Sequence, residues 1–250
     1  MTATVLSLPT PSHSERLYLL LDRVDYRIAV NDEDREAVFR LRYDAYLKEQ
    51  MIAPSLSERL SDRYDDLDNT MIFGLWLDGQ LASTLRITVA SEDYPESPAI
   101  GSFGDVLVPL VADGKVLIDA TRFATREDYS RRYPGLMPYV TTRIAWMATS
   151  FYGADLFLGS VRTEHQAFYK RVLGGVVASE PRNYHGLMKP LSLMICDYRA
   201  EKERVELRNP CLRSSYFERR AMFAGQTMPG IQTPEAIPAP AFGMLEAAEG

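Results

Sequence analysis

The chain has 250 residues, 46% of them apolar and 25% charged, with a net charge of −6. That balance supports one sizeable core or two small ones and excludes a collagen-like or wholly disordered chain. No run of about 18 apolar residues occurs, which excludes a transmembrane helix, and a globally acidic chain is a poor candidate for bulk nucleic-acid binding.

Met1–His13 is rich in Thr, Ser and Pro and has no Lys or Arg ahead of its short apolar stretch. It makes a poor secretory signal, and residues 1–13 are expected to be disordered. Asp25–Val30 alternates and predicts a strand. Asn31 or Asp32 then caps a helix with acids in its first turn and with Val38, Leu41 and Ala45 at helical spacing, over by Pro54. Met71–Leu77 and Gln80–Val89 predict a hairpin around Asp78-Gly79. Ser91–Gly104 reads as a Pro/Gly/Ser loop and Lys115–Phe123 as a strand. Pro138–Tyr152 predicts a helix with Val140, Ile144, Met147 and Phe151 on one side, and Asp155–Val161 a buried strand. Thr163–Gln166 reads as a capping box opening a helix to Leu173, stopped by Gly174-Gly175. Strands at Val176–Ser179 and Leu191–Tyr198 follow, then a last helix at Arg213–Phe223. The Pro/Ala-rich tail, residues 226–250, is expected to be disordered.

That order predicts one α/β (α+β) domain over residues 14–225, a mixed sheet with helices on its faces. No strand leads into a G-x-G-x-x-G turn, so no dinucleotide site is expected. Cys196 and Cys211 are too few for a disulfide scaffold and lack zinc-ligand spacing. Two reduced thiols in a cytoplasmic protein, with no metal, are the expectation. Charge is unevenly placed: residues 1–121 carry 21 acids and 11 bases, but residues 122–189 carry five acids and ten bases. A basic stretch in an acidic chain points to a local anionic partner, a phosphate or an acidic protein, or simply to solvated side chains.

Three clusters carry chemistry. Arg42 and Tyr46 share a helix face at i and i+4. Asp62 and Asp65 lie in an acidic stretch before the hairpin. Arg86 and Asp119-Ala120-Thr121-Arg122-Phe123 interrupt apolar strands, where a charge is expensive unless paired. The economical arrangement has Arg42, Arg86 and Arg122 meeting Asp62, Asp65 and Asp119. Such a network either holds the N-terminal loop against the sheet or faces a cleft where a carboxylate orients or deprotonates an amine.

Arg42-x-x-x-Tyr46, Asp62-x-x-Asp65, Arg86 after the hairpin and Asp119-x-x-Arg122-Phe123 occur in the order and spacing of the autoinducer synthase group. That group comprises the acyl-homoserine-lactone synthases and the N-acyl amino acid synthases. The resemblance covers about residues 25–200 and implies a GNAT-like fold: a mixed, mostly antiparallel central sheet flanked by helices. Lactone synthases usually carry Glu at the Asp119 position, Phe at the Tyr46 position and a Trp soon after, where this chain has Gln50 and Met51. The Arg-Tyr-x-x-Tyr helix looks closer to the N-acyl amino acid synthases. The alternatives are a lactone synthase using S-adenosylmethionine, an acetyl-CoA acetyltransferase, and a non-catalytic module that binds an acyl ligand or carrier protein.

The resemblance implies transfer of a long acyl group from a thioester to the α-amine of an amino acid, with no tightly bound cofactor. Asp119 would bind or deprotonate the amine. Backbone N–H groups at a strand break near Asp119–Phe123 would hold the thioester carbonyl, with Arg122 and Phe123 at that break. Asp62 and Asp65 would position the loop over the acceptor, and Arg86 and Arg122 would hold those acids and reach the acceptor carboxylate. In many GNAT enzymes a tyrosine near the late helix protonates the departing thiolate, and Tyr169 sits at the similar place. Acetyl-CoA enzymes cradle a pyrophosphate on R/Q-x-x-G-x-G/A, but here Arg132-Tyr133-Pro134-Gly135-Leu136-Met137 keeps only the first Gly. Acyl carrier protein, acidic and bearing a single phosphate, would suit a face built from Arg126, Arg131, Arg132, Arg162, Lys170 and Arg171, with acyl-CoA as the alternative donor. His165 reads as a packing or capping group, and His185 as a loop residue near the acyl tunnel or carrier face. Leu187, Met188, Leu191, Leu193 and Met194 either line an acyl channel or pack a core. Transient membrane contact for product release is a further expectation.

Overall fold

The structure is a computed structural model that describes residues 11–226, 228, 230 and 231. Of the disorder expected of residues 1–13 and 226–250, residues 1–10, 227, 229 and 232–250 lie outside the described residues, whereas Ser12 and His13 begin a helix because the Ser12 side chain accepts the Glu15 N–H. The elements are α1 (His13–Leu21), β1 (Val24–Ile28), α2 (Asp32–Lys48), β2 (Thr70–Leu77), β3 (Gln80–Ala90), α3 (Pro98–Ala112), β4 (Leu117–Thr125), α4 (Glu127–Arg132), α5 (Met137–Phe151), β5 (Leu156–Val161), α6 (Gln166–Phe168), β6 (Val176–Arg182), β7 (Leu191–Asp197), α7 (Tyr198–Arg208) and α8 (Tyr216–Phe223). The strands form one seven-stranded sheet in the order β1-β2-β3-β4-β5-β7-β6. Only β4 and β5 run parallel; every other neighbouring pair is antiparallel. The mixed, mostly antiparallel sheet is the one expected.

Most boundaries follow from local chemistry. Asn31 caps α2 by accepting the Asp34 N–H at 2.8 Å. Asp78 and Gly79 both take positive φ, which gives the β2–β3 turn the twist its strands need. One face of the sheet packs Leu85, Ile87 and Phe73 against Val140, Ile144 and Phe151 of α5. The other face packs Leu117, Leu158 and Leu193 against Phe103, Leu107 and Val111 of α3. α8 adds Phe223 to the α5 side, fully buried and edge-on to Phe73 at 5.7 Å.

Several elements depart from expectation. Ser91–Gly104 is not all loop, because Ser97 caps α3 through the Ile100 N–H and Pro98 occupies its first turn. The capping box at Thr163 does not form. Arg162 takes the cap position without a side-chain bond, and a 3-10 turn (Thr163–His165) leads through α6 into a π-type turn, Tyr169–Leu173. Gly174, at φ +71, ends it as expected. Helices α1, α4 and α7 were not anticipated. Ser12 and Asp197 cap α1 and α7, whereas Arg126 begins α4 with no side-chain cap. β6 runs past Pro181, as an edge strand can. Met188 is exposed and Leu193 and Met194 are buried in the core.

One feature of the sheet positions everything that follows. β4 and β5 pair only from Leu117–Leu156 to Ala120–Gly159. Beyond that, β4 stays with β3 as far as Thr125 opposite Ser83, and β5 stays with β7 as far as Val161 opposite Ser192. The sheet therefore splits into a V. At its mouth β4 bulges, with the β3 register slipping between Thr84–Ala124 and Arg86–Thr121. Arg122, in the bulge, has φ +54, a left-handed conformation that costs a non-glycine residue about 1–3 kcal/mol.

Candidate active site

Arg42 on α2 and Arg86 on β3 are both fully buried. Charges so placed persist only when they are met, and the loop after α2 meets them. Asp62 caps a 3-10 turn, Arg63–Asp66, which brings Asp65 round so that it accepts the Asp62 N–H at 2.9 Å. Arg42 Nη1 donates to Asp65 Oδ1 at 2.7 Å. Arg86 Nη1 donates to Asp62 Oδ1 at 2.6 Å and lies 3.1 Å from Asp65 Oδ1, while its Nε donates to Thr121 Oγ1 at 3.0 Å. Arg122 reaches Asp62 Oδ2 through Nη2 at 2.5 Å and stacks on Tyr46, 5.6 Å from the ring centre. Burial opposes the charge on Asp62, but Arg86 and Arg122 outweigh it and hold this carboxyl well below the usual range. Asp65 is likewise lowered by Arg42 and Arg86 against its burial. Burial brings the Arg42 guanidinium down to about 10.

Asp119 does not join this network, contrary to expectation. Its Oδ2 accepts the Ala99 N–H at 2.8 Å, in the first turn of α3. A side chain from β4 is thus taken by the helix that covers that face, and no arginine forms an ion pair with it. Its other oxygen, Oδ1, has no hydrogen-bond partner among the described residues. Burial, opposed by the Ala99 amide, Ser97 and Arg86, raises the Asp119 carboxyl to about 6.

A cavity of about 1020 Å³ fills the V, at the upper end of the roughly 300–1,000 Å³ typical of small-molecule sites. Of the sequence-predicted residues, Tyr46, Arg122, Phe123, Tyr169, Arg126, Arg131 and Gly135 line it, as does Arg162. Arg42, Asp62, Asp65, Arg86 and Asp119 stand outside the lining, as do Arg132, Lys170 and Arg171. Apolar walls come from Leu41, Met51, Met137, Val161, Leu187 and Leu191. Tyr169 lies against β5 because Gly159 leaves room: a Cβ there would sit 2.5 Å from Tyr169 Cε1. An isolated Gly inside a strand is the usual sign of such an approach, and Gly159 in Leu156–Val161 carries that signal. Burial, with the nearby Tyr46, raises the Tyr169 hydroxyl above its ordinary range and keeps it protonated.

The rim bases are not free. Arg126 pairs with Asp128 at 2.7 Å, Arg131 with Glu127, and Arg162 with Glu49 at 3.0 Å. His165 lies with Arg162 at the cavity wall, its Nε2 2.7 Å from Nη2. Gly135 takes φ +73 ahead of α5. Leu136, Tyr139 and Val140 spend their N–H groups on the carbonyls of Tyr133 and Leu136, and Pro138 has none. Few amides therefore remain at that helix start to hold a diphosphate.

The chain is similar to known proteins. The family described as N-acyl amino acid synthase FeeM matches residues 37–197. The structure of FeeM, an N-acyl amino acid synthase from uncultured soil microbes, superposes with a TM-score of 0.59 at 19% identity, covering 74% of this chain and 96% of that one. BjaI, a CoA-dependent acyl-homoserine lactone synthase solved with SAM and isopentyl-CoA, superposes at 0.53 with 17% identity, covering 75% and 89%. No curated protein sequence matches. Both superpositions share the GNAT-like fold. The matched span runs from α2 to the end of β7 and takes in the arginine–aspartate network, the bulge and the cavity walls. The chain belongs to the N-acyl amino acid synthase FeeM family, acyltransferases that move an acyl group from a thioester to an amino acid.

Proposed function

We propose that the chain moves a long acyl group from the phosphopantetheine thioester of acyl carrier protein to the α-amine of an amino acid, in the cavity where β4 and β5 part. One observation carries this reading. Three buried arginines face two aspartates in direct contact, and Arg122, which lines the cavity, keeps a buried Nη1 that has no hydrogen-bond partner among the described residues. A buried network with one positive charge in excess, and a free guanidinium edge beside an apolar slot, suits a carboxylate attached to a fatty chain.

The acceptor carboxylate binds Arg122 Nη1, and the acyl chain lies along Leu41, Met51 and Leu187. The bulge at Arg122–Phe123, out of the β3 ladder, supplies backbone amides to the thioester carbonyl. The acceptor nitrogen attacks the carbonyl carbon, the C–S bond breaks, and Tyr169 gives its proton to the departing sulfur. Asp119 takes the proton that the nitrogen loses, an amide and a free thiol leave the site, and exchange with solvent then removes the Asp119 proton and restores that of Tyr169. Gly159→Ala is expected to push the Tyr169 ring away and lower kcat by about 10–10²-fold. Turnover measured beside the thermal midpoint checks this, and a Tyr169→Phe background should absorb the loss.

The rim of Arg126, Arg131 and Arg162, and the amide-poor start of α5, favour a carrier protein with one phosphate over a diphosphate donor. Incubation of the full chain with acyl carrier protein thioester and mixed amino acids, followed by thiol release and mass spectrometry, is expected to yield N-acyl amino acids. Release of methylthioadenosine from added S-adenosylmethionine would indicate lactone synthesis instead. Arg126→Glu combined with Arg131→Glu is expected to raise KM for the carrier-bound donor about tenfold, more than for a free acyl-pantetheine. Equal effects on the two donors would sink the carrier assignment.

A further inference from the structure

Asp119 is fully buried and outside the cavity lining, so it cannot touch an acceptor directly. Of the buried side-chain oxygens that lack a hydrogen-bond partner among the described residues, three concern this face: Asp119 Oδ1, Ser160 Oγ and the Tyr184 hydroxyl. Each such group costs about 1–3 kcal/mol, and a cluster of them in a packed face is a sign of function. Their placement is ordered. Asp119 pairs with Leu158 across the β4–β5 ladder, so Ser160, two residues on, faces the same side and lies about 7 Å nearer the mouth. Ser160 lines the cavity. Tyr184, between β6 and β7, packs on Phe103 of α3 at 6.2 Å, on that same face.

We propose that Ser160 and Tyr184 form a proton relay joining the cavity to Asp119. It rests on amine acylation in the cavity. The acceptor nitrogen gives a proton to Ser160 Oγ, Ser160 passes its own to Tyr184, and Tyr184 passes its own to Asp119 Oδ1. Both hydroxyls end unchanged, and the carboxyl later returns its proton to solvent. Ser160 already acts on the Tyr184 hydroxyl, and the bond to Asp119 Oδ1 closes when substrate arrives, as catalytic hydrogen bonds often do. Arg86 from β3, Tyr184 from the β6–β7 segment and the Ala99 amide and Ser97 of α3 face Asp119, with Arg122 further along its own strand. Burial, with the Asp119 charge, raises the Tyr184 hydroxyl well above its ordinary range, so it enters the relay protonated; Ser160, Arg122 and Arg86 act the other way.

The test uses the full chain, a synthetic acyl-pantetheine thioester and an amino acid, with kcat and kcat/KM followed from pH 5 to 9. Wild-type kcat/KM is expected to fall on the acid side with a midpoint near 6. Tyr184→Phe and Ser160→Ala are each expected to lower kcat by the factor that Asp119→Asn does, about 10²–10⁴-fold, and to move that midpoint toward the amine's own value, about 8. KM for the thioester should change less than twofold, and adding Asp119→Asn should cost nothing more. Phe keeps the ring on Phe103, and Ser160→Ala is a second variant in a different element should Tyr184→Phe fold poorly. Wild-type kcat and an unmoved midpoint in both variants would overturn the relay alone. A wild-type chain that acylates no amino acid would overturn the reaction, and the relay with it.

Discussion

Asp119→Asn is expected to lower kcat by about 10²–10⁴-fold, the usual worth of a general base, while the fold survives. Asn still offers an oxygen to the Ala99 N–H, so the start of α3 keeps its partner. What it cannot do is accept a proton from the acceptor nitrogen. Stability should move in the opposite direction from activity. Burial puts the folded pKa of Asp119 at about 6, above that of an unfolded carboxyl. The stability tied to its protonated form is therefore complete below about pH 4 and is lost as pH rises through about 6. Asn does not titrate, so the variant should exceed the wild type above pH 6 by about 1–3 kcal/mol, the lower figure allowing for an unpaired amide N–H. Denaturant midpoints at pH 5 and 8, beside turnover, check both halves. Near wild-type turnover in Asp119→Asn would remove Asp119 from the mechanism.

The second large effect lies in the network behind the cavity. Asp65→Ala leaves Arg42 and Arg86, both fully buried, with Asp62 as the one remaining carboxylate in contact, and that contact is to Arg86. Stranding a buried guanidinium costs about 3–5 kcal/mol, a drop of roughly ten degrees or more in the thermal midpoint of a chain this size. The pH dependence has the opposite sign from that of Asp119. Asp65 is depressed in the fold, so its contribution is full above about pH 4 and is lost as pH falls below it. The gap between wild type and Asp65→Ala should therefore narrow in acid. A variant within 1 kcal/mol of wild type at pH 7 would show that Asp65 is not what holds Arg42.

Much of the fold was legible because its signals are local. The Asp78-Gly79 turn, the α5 stripe of Val140, Ile144 and Phe151, and the Asn31 cap each depend on residues a few positions apart. Ser97 and Pro98 announce α3, but Gly101 and Gly104 inside it, with the prolines and serines before it, read as loop. α4 has no side-chain cap and only six residues, so it carried no signal to find. The irregular helix at 163–173 packs Tyr169 against Gly159, a contact between two elements that its local pattern does not contain.

The same division holds for the site. By itself the sequence determined that Arg86 had to meet an acid, because it interrupts an apolar strand where an unpaired charge would not persist, and it pointed to Asp62 and Asp65 as carboxylates within reach. It also determined the family, through spacings that the matched span, residues 37–197, contains. Only the tertiary structure decided that Asp119 turns to the start of α3 rather than to the arginines, and that β4 and β5 part after Ala120 and Gly159. It alone placed Ser160 and Tyr184 beside that carboxyl's face. Those outcomes depend on which strand lies next to which, and on where a helix lands across a sheet, and no local pattern of residues encodes either.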